Sequence, residues 1–132
     1  MRYMLDTNTI IYAKNNRPEQ VLDYLQKHRP EDLCISAVTL AELEYGVCNS
    51  SNPAQNKLAL LLFLSGIEVL AFDSAAASEY GQIRYQLKKS GTPIGANDML
   101  IAAHAKSIDA VLVTNNLKEF GRIPGLKTEN WA

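Results

Sequence analysis

The sequence predicts an α/β fold, a three-layer α/β/α sandwich around a mostly parallel central sheet. Short apolar runs alternate with longer helical patterns, each run closes on small polar or acidic residues, and no repeat, linker or low-complexity stretch interrupts the alternation. Short strands separated by helices imply crossover units and therefore a parallel sheet. Ligand sites in such sheets form outside the carboxyl ends of the strands. The residues just after each run are thus the first place to look for chemistry.

The first run, Tyr3-Met4-Leu5, reads as a strand that stops at Asp6-Thr7-Asn8-Thr9, where short oxygen-bearing side chains suit a turn and a helix N-cap. A helical pattern follows through Val21, Leu22 and Leu25, then a second strand, Leu33-Cys34-Ile35, ending at Ser36. The next helix holds Leu40, Leu43 and Val47. From Ala54 to Leu64 strong helix formers carry almost continuous leucine, which predicts a helix buried on more than one side. Ile67 to Phe72 leans towards strand, and Ser74 to Lys89 returns to helix with Gly91 as its stop. Asn97 is the expected N-cap for a helix over Asp98 to Lys106. Val111-Leu112-Val113 reads as a buried strand closed by Thr114-Asn115-Asn116, and Leu126 to Trp131 as an added edge strand.

A chain of 132 residues has room for one domain and can bury roughly two-thirds of the surface its unfolded form exposes. At 47% hydrophobic and 20% charged residues it lies far from the composition of disordered chains. Cys34 and Cys48 are too few for a disulfide framework and sit in apolar-patterned segments, so both are expected to be reduced core residues. The opening lacks a basic segment followed by an apolar one, and the apolar stretch Leu58 to Leu64 is about a third of a membrane span, so the expectation is a soluble, cytoplasmic protein without a membrane partner. A net charge of −1 argues against coating nucleic acid through global charge, so any such contact must be local.

Three carboxylates stand where the sheet would gather them. Asp6 follows the first strand, Glu42 lies one helical turn into the helix after the second, and Asp98 opens a later helix. Crowded carboxylates repel one another and hold protons more tightly, a cost that a hard divalent cation removes. Mg²⁺ or Mn²⁺ suits such an all-oxygen set, whereas His28 and His104 show no zinc spacing. A metal in that position can activate water for attack on phosphorus, which points to phosphodiester hydrolysis. Each acid also has a purely structural use. Thr39-Leu40-Ala41-Glu42 matches a capping box, Asp98 complements a helix dipole, and Asp6 fits a solvated turn.

Four segments break this tie: Met4-Leu5-Asp6-Thr7-Asn8, Ile35 through Leu43, Gly95-Ala96-Asn97-Asp98, and Leu112-Val113-Thr114-Asn115-Asn116. In order and spacing they resemble the motifs of PIN-domain ribonucleases over essentially the whole chain, residues 1–132 as one domain. Within that family the chain is similar to the VapC toxins of bacterial VapBC toxin–antitoxin systems, including the Thr92-Pro93-Ile94-Gly95 lead into Asp98 and the ending Ile123-Pro124-Gly125. The resemblance implies a Mg²⁺- or Mn²⁺-dependent endoribonuclease that inhibits translation and is held inactive by a cognate VapB-type antitoxin. It also implies a homodimer within a larger complex, and a substrate that is tRNA, with the initiator tRNA anticodon loop as the characteristic target. Asp6, Glu42 and Asp98 match the family's metal-site acids. Many members carry a fourth acid where this chain has Asn116, whose amide can orient a water or a neighbouring group but adds no charge. Thr7, Asn8, Ser36 and Thr114 match polar positions lining the same pocket.

Arg84 and Lys88 lie four apart on one predicted helix, beside Lys89 and near Tyr80 and Tyr85, a set that can hold phosphates and stack on unpaired bases. Its structural counterpart is a solvated helix end favoured by the dipole. Two rival functions stand against the nuclease. A haloacid-dehalogenase-like phosphatase would need a second aspartate where Asn8 stands, and a catalytically silent RNA- or protein-binding module would explain the absent fourth acid.

Overall fold

The computed structural model describes residues 1–15 and 18–132. Strands β1 (Tyr3–Leu5), β2 (Leu33–Ser36), β3 (Glu68–Leu70), β4 (Val111–Val113) and β5 (Thr128–Glu129) form one sheet in the order β3-β2-β1-β4-β5. All four pairings are parallel. Helices α1 (Thr7–Asn15) and α2 (Glu19–Lys27) join β1 to β2, and α3 (Ala37–Cys48) and α4 (Pro53–Leu64) join β2 to β3. Helices α5 (Ser74–Ser90) and α6 (Ala96–Ser107) then return the chain to β4, and α7 (Leu117–Phe120) leads towards β5.

Period-two alternation sorts the strand side chains into two cores. Met4, Cys34 and Leu112 face a layer of α5, α6 and α7, where they meet Ile83, Leu87, Ile101 and Phe120. Leu5, Ile35 and Val113 point the other way, into Ile10, Val21, Leu43 and Leu60 of α1 to α4. The three layers follow from the order of the strands. Building β1, β2 and β3 outward in one direction and then returning to the far side of β1 places the later helices on the opposite face, because crossovers keep one hand. The direction reverses between β1 and β4, which makes their carboxyl ends the switch point.

Several local expectations need correction. The N-cap of α3 is Ser36, whose Oγ accepts from Val38 N, so Thr39 and Glu42 do not form a capping box and Glu42 is free to serve elsewhere. Helix α6 starts two residues earlier than expected, with Gly95 rather than Asn97 at its cap. Cys48 is exposed while Cys34 is buried. On α4 only Leu60 is buried; Leu58, Leu61 and Leu62 are 58, 55 and 67% exposed. Near-continuous leucine carries no 3.6-residue period, so composition signalled burial without saying which face finds a partner. Helix α5 ends as expected, with Gly91 at φ 71° in the left-handed region that glycine enters without steric cost.

One buried bond ties the two faces of the sheet together. Ser36 Oγ and His104 Nδ1 lie 2.7 Å apart, both side chains fully or almost fully out of solvent. Burial pushes the His104 pKa down, against the pull of the Asp73 charge, which favours the neutral ring in this pair. Ser36→Ala deletes this bond and the α3 cap together, and is expected to lower stability by about 1–3 kcal/mol in urea unfolding. A loss below about 0.5 kcal/mol would show that neither contact matters.

Candidate active site

Asp6 is carried by the end of β1 and is buried. Its backbone N–H donates to Val113 O of β4 at 3.1 Å, and its Oδ1 accepts from Thr9 N at 2.8 Å, so one carboxylate caps α1 while sitting at the switch point. Burial raises its pKa, hydrogen bonds from Thr114 and Thr9 pull it back down, and the Glu42 charge adds to the rise. This is no solvated turn residue.

Glu42 comes from α3 and is held from two sides. Thr7 Oγ1 donates to its Oε1 at 2.6 Å and Asn97 Nδ2 to its Oε2 at 3.3 Å, from the first turns of α1 and α6. Three hollows meet at this residue: one of about 250 Å³ running towards Ile11 and Lys14, one of about 400 Å³ bounded by Tyr45 and Asn97, and one of about 380 Å³ bounded by Asn97 and Asp98.

Asp98 sits in the first turn of α6, half-buried. Its pKa is pushed up to about 6, first by burial, next by a hydrogen bond with Glu119 and that residue's charge, and then by Glu42 and Asp6. Glu119, on α7, is the fourth acid. The sequence reading placed the gap at Asn116; here Asn116 Nδ2 donates to Glu119 Oε2 at 3.0 Å, so the amide steers an acid one helical turn further on. The signal that could have found it is the Asn116-x-x-Glu119 spacing, a helix-start pattern directly after a strand.

The remaining predicted positions divide. Thr7 and Thr114 serve the acids, Thr7 through Glu42 and Thr114 through Asp6, while Thr114 Oγ1 also accepts from Asn116 N at 3.0 Å. Ser36 and Thr114 are wholly buried, so neither can touch a substrate as expected. Asn8 is exposed on α1 and lines none of the three hollows. Arg84 and Lys88 lie outside the acid cluster and line a separate hollow of about 450 Å³ with Met99, the residue after Asp98. Arg84 donates to Tyr80 Oη at 3.0 Å, and Arg122, which sequence reading passed over, donates to Pro93 O on the same rim at 3.1 Å.

Chemically the cluster is an all-oxygen donor set of Asp6, Glu42, Asp98 and Glu119, which fits a hard divalent cation. As placed, no three acids, histidines or cysteines among the described residues stand ready to grip one ion together. Asp98, whose pKa burial and Glu119 push up to about 6, gives up a proton when it takes an ion, and Glu42 is already engaged by Thr7 and Asn97. Neither histidine competes, since His104 is engaged with Ser36 and His28 stacks on Trp131.

A three-layer α/β/α fold with its acids gathered at the carboxyl ends of adjacent parallel strands defines the class. The chain belongs to the PIN-domain family, whose model matches residues 3–126, and within it to the VapC proteins. It is 45% identical over 132 residues to the tRNA(fMet)-specific endonuclease VapC of Salmonella typhimurium, covering 100% of this chain and 99% of that protein. It is 46% identical to Ribonuclease VapC2 of Rickettsia felis, covering 99% and 98% of the two chains. Among solved structures it is similar to VapC in the DNA-bound VapBC of Salmonella typhimurium, with TM-score 0.94, 45% identity and 100% and 99% coverage. The promoter-bound VapBC2 of Rickettsia felis gives 0.93, 44% and 100% of both chains.

Because the folded protein holds Asp98 protonated above its ordinary range, that group favours folding fully at pH values below the usual carboxylate range, and the contribution is lost as pH rises through about 6. In metal-free protein, carboxyl ¹³C NMR should show Asp98 titrating near 6. In Glu119→Gln the value should fall while remaining above normal, because burial persists. Ordinary titration in both proteins would contradict the raised value.

Proposed function

We propose that this chain is a divalent-metal-dependent endoribonuclease, acting as one domain over residues 1–132, and the toxin half of a cytoplasmic type II toxin–antitoxin pair. The observation that carries the reading is the convergence of Asp6, Glu42, Asp98 and Glu119 at the switch point of the sheet, close enough that Glu119, Glu42 and Asp6 all raise the Asp98 pKa. Asp6, Glu42, Asp98 and Glu119 would hold Mg²⁺ or Mn²⁺, and Asn116 would position Glu119. Bound there, the ion supplies water activation and neutralises the charge that builds on the phosphoryl oxygens.

The chain's own residues do the rest. Thr7 and Asn97 fix Glu42 from opposite sides, so the carboxylate meets the substrate already oriented. Thr9 and Thr114 hold Asp6 against its burial cost. Arg84 and Lys88 offer cations in the hollow they share with Met99 of α6, suited to the RNA backbone. The substrate is tRNA, with the initiator anticodon loop as first choice; 45% identity to a tRNA(fMet)-specific endonuclease over the whole chain supports this. Translation inhibition follows from loss of that tRNA.

A VapB-type antitoxin and a second copy of the chain are the expected partners. The exposed Leu58, Leu61 and Leu62 of α4 give them an apolar face to cover. A monomeric mass both alone and with antitoxin would contradict this. No helix among the described residues is long and apolar enough to cross a membrane.

Antitoxin-free protein incubated with total tRNA and Mg²⁺ or Mn²⁺ should give discrete cuts in the initiator tRNA that EDTA or Asp98→Asn abolishes. Thr7→Val, which unpins Glu42, should slow cleavage by roughly 10- to 100-fold. Charge reversal at Arg84 and Lys88 should weaken RNA binding and leave the fold intact. Intact RNA from folded, metal-loaded protein would overturn the nuclease reading, and unchanged kinetics in the double charge reversal would remove the basic patch from it.

A further inference from the structure

We infer that Tyr45 is a stacking platform for an unpaired base beside the scissile phosphate, an assignment that rests on the ribonuclease reading and adds to it the subsite that selects unpaired RNA. Tyr45 lies three residues after Glu42 on α3, so the two share a helix face. Tyr45 is 69% exposed. Neither packing nor capping accounts for so large an aromatic group at that position.

The hollow beside it supplies the account. Its volume of about 400 Å³ falls within the roughly 300–1,000 Å³ of ligand pockets. Val38 and Ala41 give it an apolar wall, while Glu42, Thr7 and Asn97 give it a polar one joined to the acid cluster. A flat, apolar-sided object with polar edges fits between them, which describes a nucleobase whose phosphate lies at the acids. Sequence-specific RNA recognition targets unpaired bases that stack on aromatic rings. Tyr85 is also exposed but lines none of the hollows at the acids, so the same case cannot be made for it. A protein side chain from a partner is the competing occupant; the polar wall shared with Glu42 favours the base.

The test uses the intact protein and an RNA whose cut site has first been mapped. Tyr45→Ala should lower kcat/KM by roughly 5- to 150-fold, the range of one lost base–aromatic stack, while Tyr45→Phe should recover most of that loss because the ring, not the hydroxyl, carries it. An abasic nucleotide at one position flanking the cut should cost the wild type a similar factor. The two changes together should cost little more than either alone, since each removes the same contact. Multiplying losses, or a Tyr45→Ala rate within twofold of wild type, would overturn the assignment. If Tyr45→Ala spares RNA cleavage and weakens antitoxin binding, the hollow belongs to a protein partner. Absence of any metal-dependent cut by the wild type would remove the ribonuclease reading itself, and this subsite with it.

Discussion

Four carboxylates brought together at the carboxyl ends of β1 and β4 repel one another, and the surrounding residues are arranged to tolerate that repulsion. Asp6 is buried and compensated by Thr9 and Thr114. Glu42 is pinned by Thr7 and Asn97. Asp98 meets the problem by holding its proton to about pH 6, with Glu119, positioned by Asn116, among the groups that raise its pKa. Each solution uses a residue from a different connection of the sheet, so the cluster exists only because the strand order reverses at this point.

Holding these connections in register falls to apolar packing and to one buried polar bond. Ser36 ends β2 and caps α3, which carries Glu42, while His104 lies on α6, which carries Asp98. Their hydrogen bond therefore joins the two elements that carry these acids. A fully satisfied polar pair in a core specifies one arrangement where apolar packing alone would allow several. The expectation that Ser36 lines the pocket thus gives way to a positioning role beneath it.

The sheet was legible in the sequence because its strands are short apolar runs closed by polar residues, and Asp6 and Asp98 were legible because they stand directly at such boundaries or helix starts. Glu42 was placed by its position one turn into the helix after β2 and weighed against a capping box; the family motif decided between them, and Ser36 in fact makes the capping box unnecessary. Glu119 stayed hidden because the residue expected to be acidic, Asn116, sits one turn before it; only the fold shows that α7 carries the charge back to Asp98. The leucines of α4 misled for a different reason, since burial depends on partners that a single chain does not contain. Tyr45 left no sequence signal, because an aromatic at helical spacing normally marks a core.

The measurement closest to the central claim is calorimetric titration of Mn²⁺ into metal-free protein at pH 5.5 and 7.5, in buffers of different ionisation enthalpy. If Asp98 keeps its proton to about pH 6 until a cation replaces it, binding should release about one proton per ion at pH 5.5 and far fewer at pH 7.5, and Glu119→Gln should weaken binding. Binding with no proton release at either pH, and an affinity indifferent to Glu119→Gln, would contradict the account.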